Sequence, residues 1–245
     1  MSTADRHDVV VVGSGVAGLS ASIFTARAGL ETLVVNDDES ILERNAQIEN
    51  YPGFPAGVNS RLLLELSRDH AARSGVTFEE DEVVAVEPTE DGFDVHLADV
   101  TLATEFVVAA SWSDVGFLDG LDLDLIEQGS KRYVEVDEHG RTGVEGLYAA
   151  GRIAGQYHQA IVAAGHGADV ALTLVDDSDV PYYHDWIAPE GYFTGRGREV
   201  PPGVEEIDEA ERKRREAESM AVMREYFADP HPGTPTMHPS VEQDD

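Results

Sequence analysis

The sequence predicts an α/β domain with a central parallel sheet and a three-stranded β meander, and two observations carry that expectation. Val9-Val10-Val11-Val12 is an unbroken β-branched run, the pattern of a parallel strand buried on both faces. It leads straight into Gly13-Ser14-Gly15-Val16-Ala17-Gly18, after which Leu19, Ile23 and Ala26 recur at helical spacing as far as Gly29, and Thr32-Leu33-Val34-Val35 returns to strand. Strand, glycine turn, helix and strand inside about 30 residues make one βαβ unit.

The later elements follow in order. Ser60 is placed to cap a helix carrying Leu62, Leu63, Leu66 and Ala71, which Gly75 ends. Residues 77–86 read as a third strand. Residues 93–97, 100–103 and 106–109 read as the meander, behind an Asp91-Gly92 turn. Residues 116–129 are irregular, and Tyr133-Val134-Glu135-Val136 is a strand. Gly146-Leu147-Tyr148-Ala149-Ala150-Gly151 is a small-residue strand entering a tight turn, and residues 159–175 form an Ala-rich helix. Helices are expected on both faces of the sheet.

Composition shifts near Asp176. Pro181-Tyr182-Tyr183-His184-Asp185-Trp186 and Gly191-Tyr192-Phe193 form an aromatic cluster, residues 205–227 a charged helix, and Pro230, Pro232, Pro235 and Pro239 follow. The expected division is therefore a compact domain over 1–177 and an extension over 178–245 that wraps it or packs on a partner.

Charge narrows the function. Against 48 acidic residues stand 17 basic ones, a net charge of −31, which argues against nucleic acid and against anionic membrane surfaces. Acids recur along the whole length, with Asp244 and Asp245 as a final pair. Only Lys131 and Lys213 are lysines, and the pattern is that of a protein adapted to molar salt. There is no cysteine, so this chain offers no thiolate chemistry, disulfide or Cys-ligated metal. The polar start and the short apolar run 9–12 suit neither a membrane helix nor a signal core, and a cytoplasmic location is expected.

GxGxxG between a strand and a helix is the dinucleotide fingerprint. Gly13 makes the turn, Gly15 lets the backbone approach a pyrophosphate, and Gly18 lets the helix pack on the sheet. Backbone dipoles at the helix N-terminus matter in so acidic a chain, because they hold an anion without a cationic side chain. Asn36 stands where an acid would grip a ribose, followed by Asp37 and Asp38. Its amide still hydrogen-bonds hydroxyls, but without the acid NAD, NADP and FAD are less clearly separated.

With Ile48-Glu49-Asn50-Tyr51-Pro52-Gly53-Phe54-Pro55, the meander ending in Val107-Val108-Ala109-Ala110, and the segment 146–151, the chain resembles the FAD domain of thioredoxin reductases and their two-dinucleotide-binding flavoprotein relatives. The resemblance covers residues 7–115 and about 130–175. It implies an FAD/NAD(P)-binding Rossmann-like domain over 1–177. It also implies FAD, with Gly13, Gly15, Val16, Ala17 and Asn36 on its AMP half and Val83 behind the adenine. Asn50, Arg152, Gln159 and Ala160 would serve the ribityl-flavin half, and Ala110 and Gly151 belong to the motifs that close the site. Five departures stand out. Only residues 114 to about 131 fill the place of a nicotinamide domain, the redox CxxC is absent, Ala109-Ala110-Ser111 stands at the ATG position, Ser40-Ile41-Leu42-Glu43 replaces the GGQ segment before Asn50, and Arg152 replaces an aspartate. Arg152 can instead pair with a pyrophosphate, the competing expectation being solvent or an acid such as Asp37 or Glu49.

No catalytic residue is assigned. His158 and His166 flank the Ala-rich helix as acid–base candidates, while His184-Asp185 could orient a base or line a lid. His231 and His238 lack ligand partners at useful spacing, and no metal is assigned. The basic run Arg212–Arg215 between Glu211 and Glu216 reads as i,i+4 ion pairing or, alternatively, partner recognition. The expected function is an FAD-dependent oxidoreductase without dithiol chemistry, a homodimer served by diffusing NAD(P)H or a protein electron donor. The alternative is a non-catalytic dinucleotide-binding or partner-binding module.

Overall fold

A computed structural model describes residues 6–37, 39–181, 184–238 and 240–241; Asp38, Tyr182, Tyr183, Pro239, Asp244 and Asp245 lie outside it. The described chain forms two compact units, one running to Leu174 and resuming at Gly233, the other Val175–Pro232.

In the first unit, β1 (Arg6–Val12) leads through α1 (Val16–Arg27) to β2 (Thr32–Val35), which pairs parallel with β1. After α2 (Ser60–Arg73) come β3 (Thr77–Glu79), β4 (Ala85–Thr89), β5 (Gly92–His96) and β6 (Thr101–Ala109). A β7–β8 hairpin (Leu125–Gln128, Lys131–Val134) precedes β9 (Leu147–Ala149) and α3 (Ala160–Asp177). The sheet order is β3-β2-β1-β6-β5-β4, and β9 pairs parallel with the second half of β6. Five strands, β3, β2, β1, β6 and β9, are thus mutually parallel, with β5 and β4 attached antiparallel.

Period-2 alternation explains the layers. Val9, Val11, Val34, Val108 and Tyr148 face one core, where α1, α2 and α3 pack through Leu19, Leu64 and Val170. Val10, Val12, Val35, Val107 and Leu147 face the other core, filled by Phe93, Val95, Phe117, Leu118 and Val134. The expectation of helices on both faces is corrected here. The second face is covered by residues 115–136, because the β6–β9 connection carries a hairpin and no α-helix.

Other elements shift. Asn59 caps α2, its Oδ1 accepting from the N–H of Arg61 at 3.0 Å and of Leu62 at 3.4 Å, while the expected cap Ser60 donates Oγ to the Asn45 carbonyl at 2.8 Å. The strand expected over 77–86 is two, β3 and β4. The meander is β4, β5 and β6, since 100–103 and 106–109 join in one strand. The strand expected at 133–136 begins at Lys131, inside a hairpin turned by Gly129 at φ +65°.

In the second unit, β10 (Trp186–Pro189) pairs parallel with β11 (Val204–Ile207), and Asp208 caps α4 (Glu209–Tyr226), so the charged helix begins after a short strand. Trp186, Tyr192 and Phe193 pack edge to face, with Arg196 4.4 Å above Tyr192. The Glu206 carboxylate accepts from the N–H groups of Gly191, Phe193 and Thr194 and from the Thr194 hydroxyl, which holds its pKa down at about 2. The basic run of α4 is ion-paired, Arg212 with Glu209 and Glu216 and Arg214 with Glu211 and Glu218 inside the helix, and Arg215 with Glu211 and with Glu205 of β11.

Candidate cofactor site

A cavity of about 610 Å³ lies across the carboxyl ends of the parallel strands, where ligands gather in open α/β sheets. Its centre is the turn after β1. Gly13 takes φ +108°, and a Cβ there would stand 2.9 Å from the Ala110 carbonyl oxygen. At Gly18 a Cβ would fall 2.0 Å from the Gly13 carbonyl oxygen, so the helix packs on the turn only with glycine. At Gly15 the nearest heavy atom would be Ser40 Oγ at 3.8 Å, which leaves this backbone open to the cavity. The N–H groups of Gly15, Val16 and Ala17 begin α1 and have no acceptor inside it. Ser14 donates its N–H to Asn36 Oδ1 at 3.1 Å, tying the end of β2 to the turn.

The expected residues Gly13, Gly15, Val16, Ala17 and Asn36 line this cavity, as do Val83, Ala110, Arg152, Gln159 and Ala160. Asn50 and Gly151 stand behind the wall. Asn50 Nδ2 donates to Gln159 Oε1 at 2.7 Å and so fixes a wall residue from outside. The Gly151 N–H donates to His166 Nδ1 at 2.9 Å, which sets the turn that carries Arg152.

Arg152 meets neither solvent alone nor the acids weighed for it. Its Nη2 donates to the Tyr133 hydroxyl at 2.5 Å and Nη1 to the Gln156 carbonyl at 2.8 Å, with Cζ 4.7 Å from the Tyr133 ring centre. Nε is buried with no hydrogen-bond partner, and no carboxylate pairs with the guanidinium among the described residues. The guanidinium charge is thus held without a carboxylate to neutralise it among the described residues.

His158 lines the cavity, its ring edge-on to Trp112 at 4.4 Å. Burial, and then the charges of Arg152 and Lys131, push its pKa below the ordinary histidine value, so the ring is neutral at pH 7. His166 lies outside the cavity wall. Its Nδ1 accepts from Gly151, so the proton sits on Nε2, and burial lowers its pKa against the opposing pull of Asp169. His184 packs against Trp186 in the second unit, and His238 bonds Ser240. Among the described residues no group of three or more His, Asp or Glu gathers around a metal position, and no helix is long and apolar enough to cross a membrane.

Sequence reasoning missed Trp112 and Tyr157, both on the wall. Trp112 had a usable signal, being three residues beyond the end of a parallel strand, where ligand-facing loops begin. Lys131, above the Trp112 ring at 5.2 Å, had none, since it arrives from a separate hairpin.

Comparison with known proteins agrees with this geometry. Residues 8–42 match an FAD binding domain, and residues 41–167 match the pyridine nucleotide-disulphide oxidoreductase family. Thioredoxin reductase from Aquifex aeolicus is 38% identical over 95 residues, which cover 38% of this chain and 29% of that protein. The enzyme from Mycolicibacterium smegmatis is 38% identical over 90 residues, covering 36% and 29% respectively. The match thus spans less than a third of these relatives. A solved thioredoxin reductase from Gloeobacter violaceus superposes with a TM-score of 0.66 at 18% identity, covering 74% of this chain and 100% of that one, a likeness of fold.

Proposed function

The chain belongs to the pyridine nucleotide-disulphide oxidoreductase family and carries an FAD-binding domain, and we propose that it is an FAD-dependent oxidoreductase that works without dithiol chemistry of its own. The observation that carries this reading is the pairing of an open glycine turn with Arg152, a cavity cation without a carboxylate partner. Both suit a pyrophosphate dinucleotide, so the residues present fit FAD.

In this reading residues 1–177 hold the cofactor, and 178–245 form an extension. The N–H groups of Gly15, Val16 and Ala17 receive the pyrophosphate, Asn36 orients a ribose, and Val83 backs the adenine. Arg152, steadied by Tyr133, adds a charge-assisted contact. Gln159, held by Asn50, and the N-terminus of α3 at Ala160 serve the flavin ring. FAD supplies the redox chemistry when bound, and the chain supplies orientation and electrostatics.

No cysteine is present in the chain, and the 37 residues between β6 and β9 are too few for a second dinucleotide domain. The electrons would therefore come from diffusing NAD(P)H or a protein donor, to a cytoplasmic homodimer adapted to molar salt. The same loss of a nicotinamide domain favours the second reading, a dinucleotide-binding module without turnover. Purified protein in molar KCl decides between them. A yellow chain whose flavin band bleaches anaerobically with NADH or NADPH supports the enzyme; a yellow chain that no donor bleaches supports the module, and a colourless one that takes up no FAD contradicts both.

A further inference from the structure

The cavity is electrically lopsided. On the β2–β3 side its wall carries the acids Asp37, Glu39, Asp81 and Glu82 and one base, Arg44. On the β6–β9 side stand Trp112, Tyr157, His158 and Arg152, with Lys131 Nζ 5.2 Å from the Trp112 ring centre. Arg212, Lys213, Arg214 and Arg215 of α4, and Arg68, Arg73, Arg132 and Arg141, take carboxylate partners. Lys131 and Arg152 take none among the described residues, and both charges reach His158, where they disfavour its protonation. One carboxylate, Asp114, is on this side, and its Oδ1 accepts from the Gly116 N–H at 2.8 Å. Tyr157 is 80% exposed, a large aromatic ring at the cavity that the protein itself leaves uncovered.

We propose that Trp112, Tyr157, His158 and Lys131 form a subsite for a small planar carboxylate, an aromatic or conjugated acid, beside the cofactor. The aromatic rings supply flat apolar contact and Lys131 a charge for the carboxylate. His158, neutral and edge-on to Trp112, offers one ring nitrogen as donor and the other as acceptor to a polar substituent. The subsite deepens the oxidoreductase reading by naming a substrate class, and rests on it only for its place next to the flavin.

Benzoate and its neutral isostere benzamide test this, titrated into the full chain in KCl of constant concentration and read by tryptophan fluorescence. Apoprotein and FAD-loaded protein are compared, for wild type, Lys131→Gln and Trp112→Phe. Benzoate should change the fluorescence saturably, and Trp112→Phe should remove that change. Benzamide should bind roughly tenfold more weakly, and Lys131→Gln should weaken benzoate by a similar factor while leaving benzamide alone, the scale of one charge-assisted contact. Equal affinities for benzoate and benzamide, or an indifferent Lys131→Gln, overturn the proposal. So does competition between FAD and benzoate, which would make this wall part of the cofactor site. Because the apoprotein arm reads Trp112 directly, failure of FAD to bind would contradict the oxidoreductase reading without touching the subsite.

Discussion

In the proposed reading the two sides of the cavity meet negative charge by different means. Around β1 and α1 the proposed anion site is backbone: open glycines and the first N–H groups of a helix. Beyond β6 and β9 it is side chain, with Arg152 braced by Tyr133 and Lys131 set over Trp112. The difference teaches how a chain of net charge −31 holds an anionic cofactor. Fixed dipoles are indifferent to the surrounding acids, whereas each cation must be kept out of their reach to remain available.

The comparison breaks most severely at Gly18. A Cβ 2.0 Å from the Gly13 carbonyl oxygen has nowhere to go but into the turn. Gly18→Ala should cost about 1–3 kcal/mol or more by overpacking and lose FAD, read as a lower Tm and an emptied flavin band. A variant that melts and binds like wild type would show that the turn is not needed.

Arg152→Ala sharpens the side-chain half. It should weaken FAD by about 1.5–3 kcal/mol without moving the glycine turn, and Arg152→Asp should recover part of this if the ribityl chain passes there. Equal FAD affinity in fluorescence titration for wild type and both variants would remove Arg152 from the site. Tyr133→Phe deletes only a brace and should cost about 0.5–1.5 kcal/mol in the same titration.

Legibility in the sequence divides along the same line. The backbone half was readable from Val9 to Asn36 because turn, helix start and strand end lie within one unit, at spacings that fixed geometry dictates. The side-chain half was readable only in part: Arg152 and His158 are named from one segment, but Trp112 and Lys131 come from two others and meet them only in the folded chain. Arg152 was anticipated at its position but not its brace, Tyr133, which periodicity marks only as a strand residue. Helices were expected on both faces because βαβ units ordinarily place them there, yet 115–136 folds as hairpin and loop and fills that face with Phe117, Leu118 and Val134. Asn59 outranked Ser60 as the α2 cap because the Ser60 hydroxyl is committed to Asn45.

The smallest expected effect is on pH. His158 and His166 both have lowered pKa values, from burial first, so the unfolded chain binds protons that the folded one refuses. Stability is therefore full above the ordinary value near 6.5 and declines as pH falls through it toward the lowered folded values. Protonation of His166 at Nδ1 also sets an N–H against the Gly151 N–H and loosens the turn carrying Arg152. Tm measured between about pH 7.5 and 5.5 should fall, and His166→Phe should flatten the slope; a Tm that does not change with pH counts against this account.

Equilibrium titration of the apoprotein with FAD in molar KCl, followed by flavin fluorescence, tests the central claim most directly. The account predicts saturable uptake of a single FAD per chain, abolished by Gly18→Ala and weakened by Arg152→Ala. An absence of saturable binding to folded wild-type protein, or binding that neither substitution alters, would contradict it.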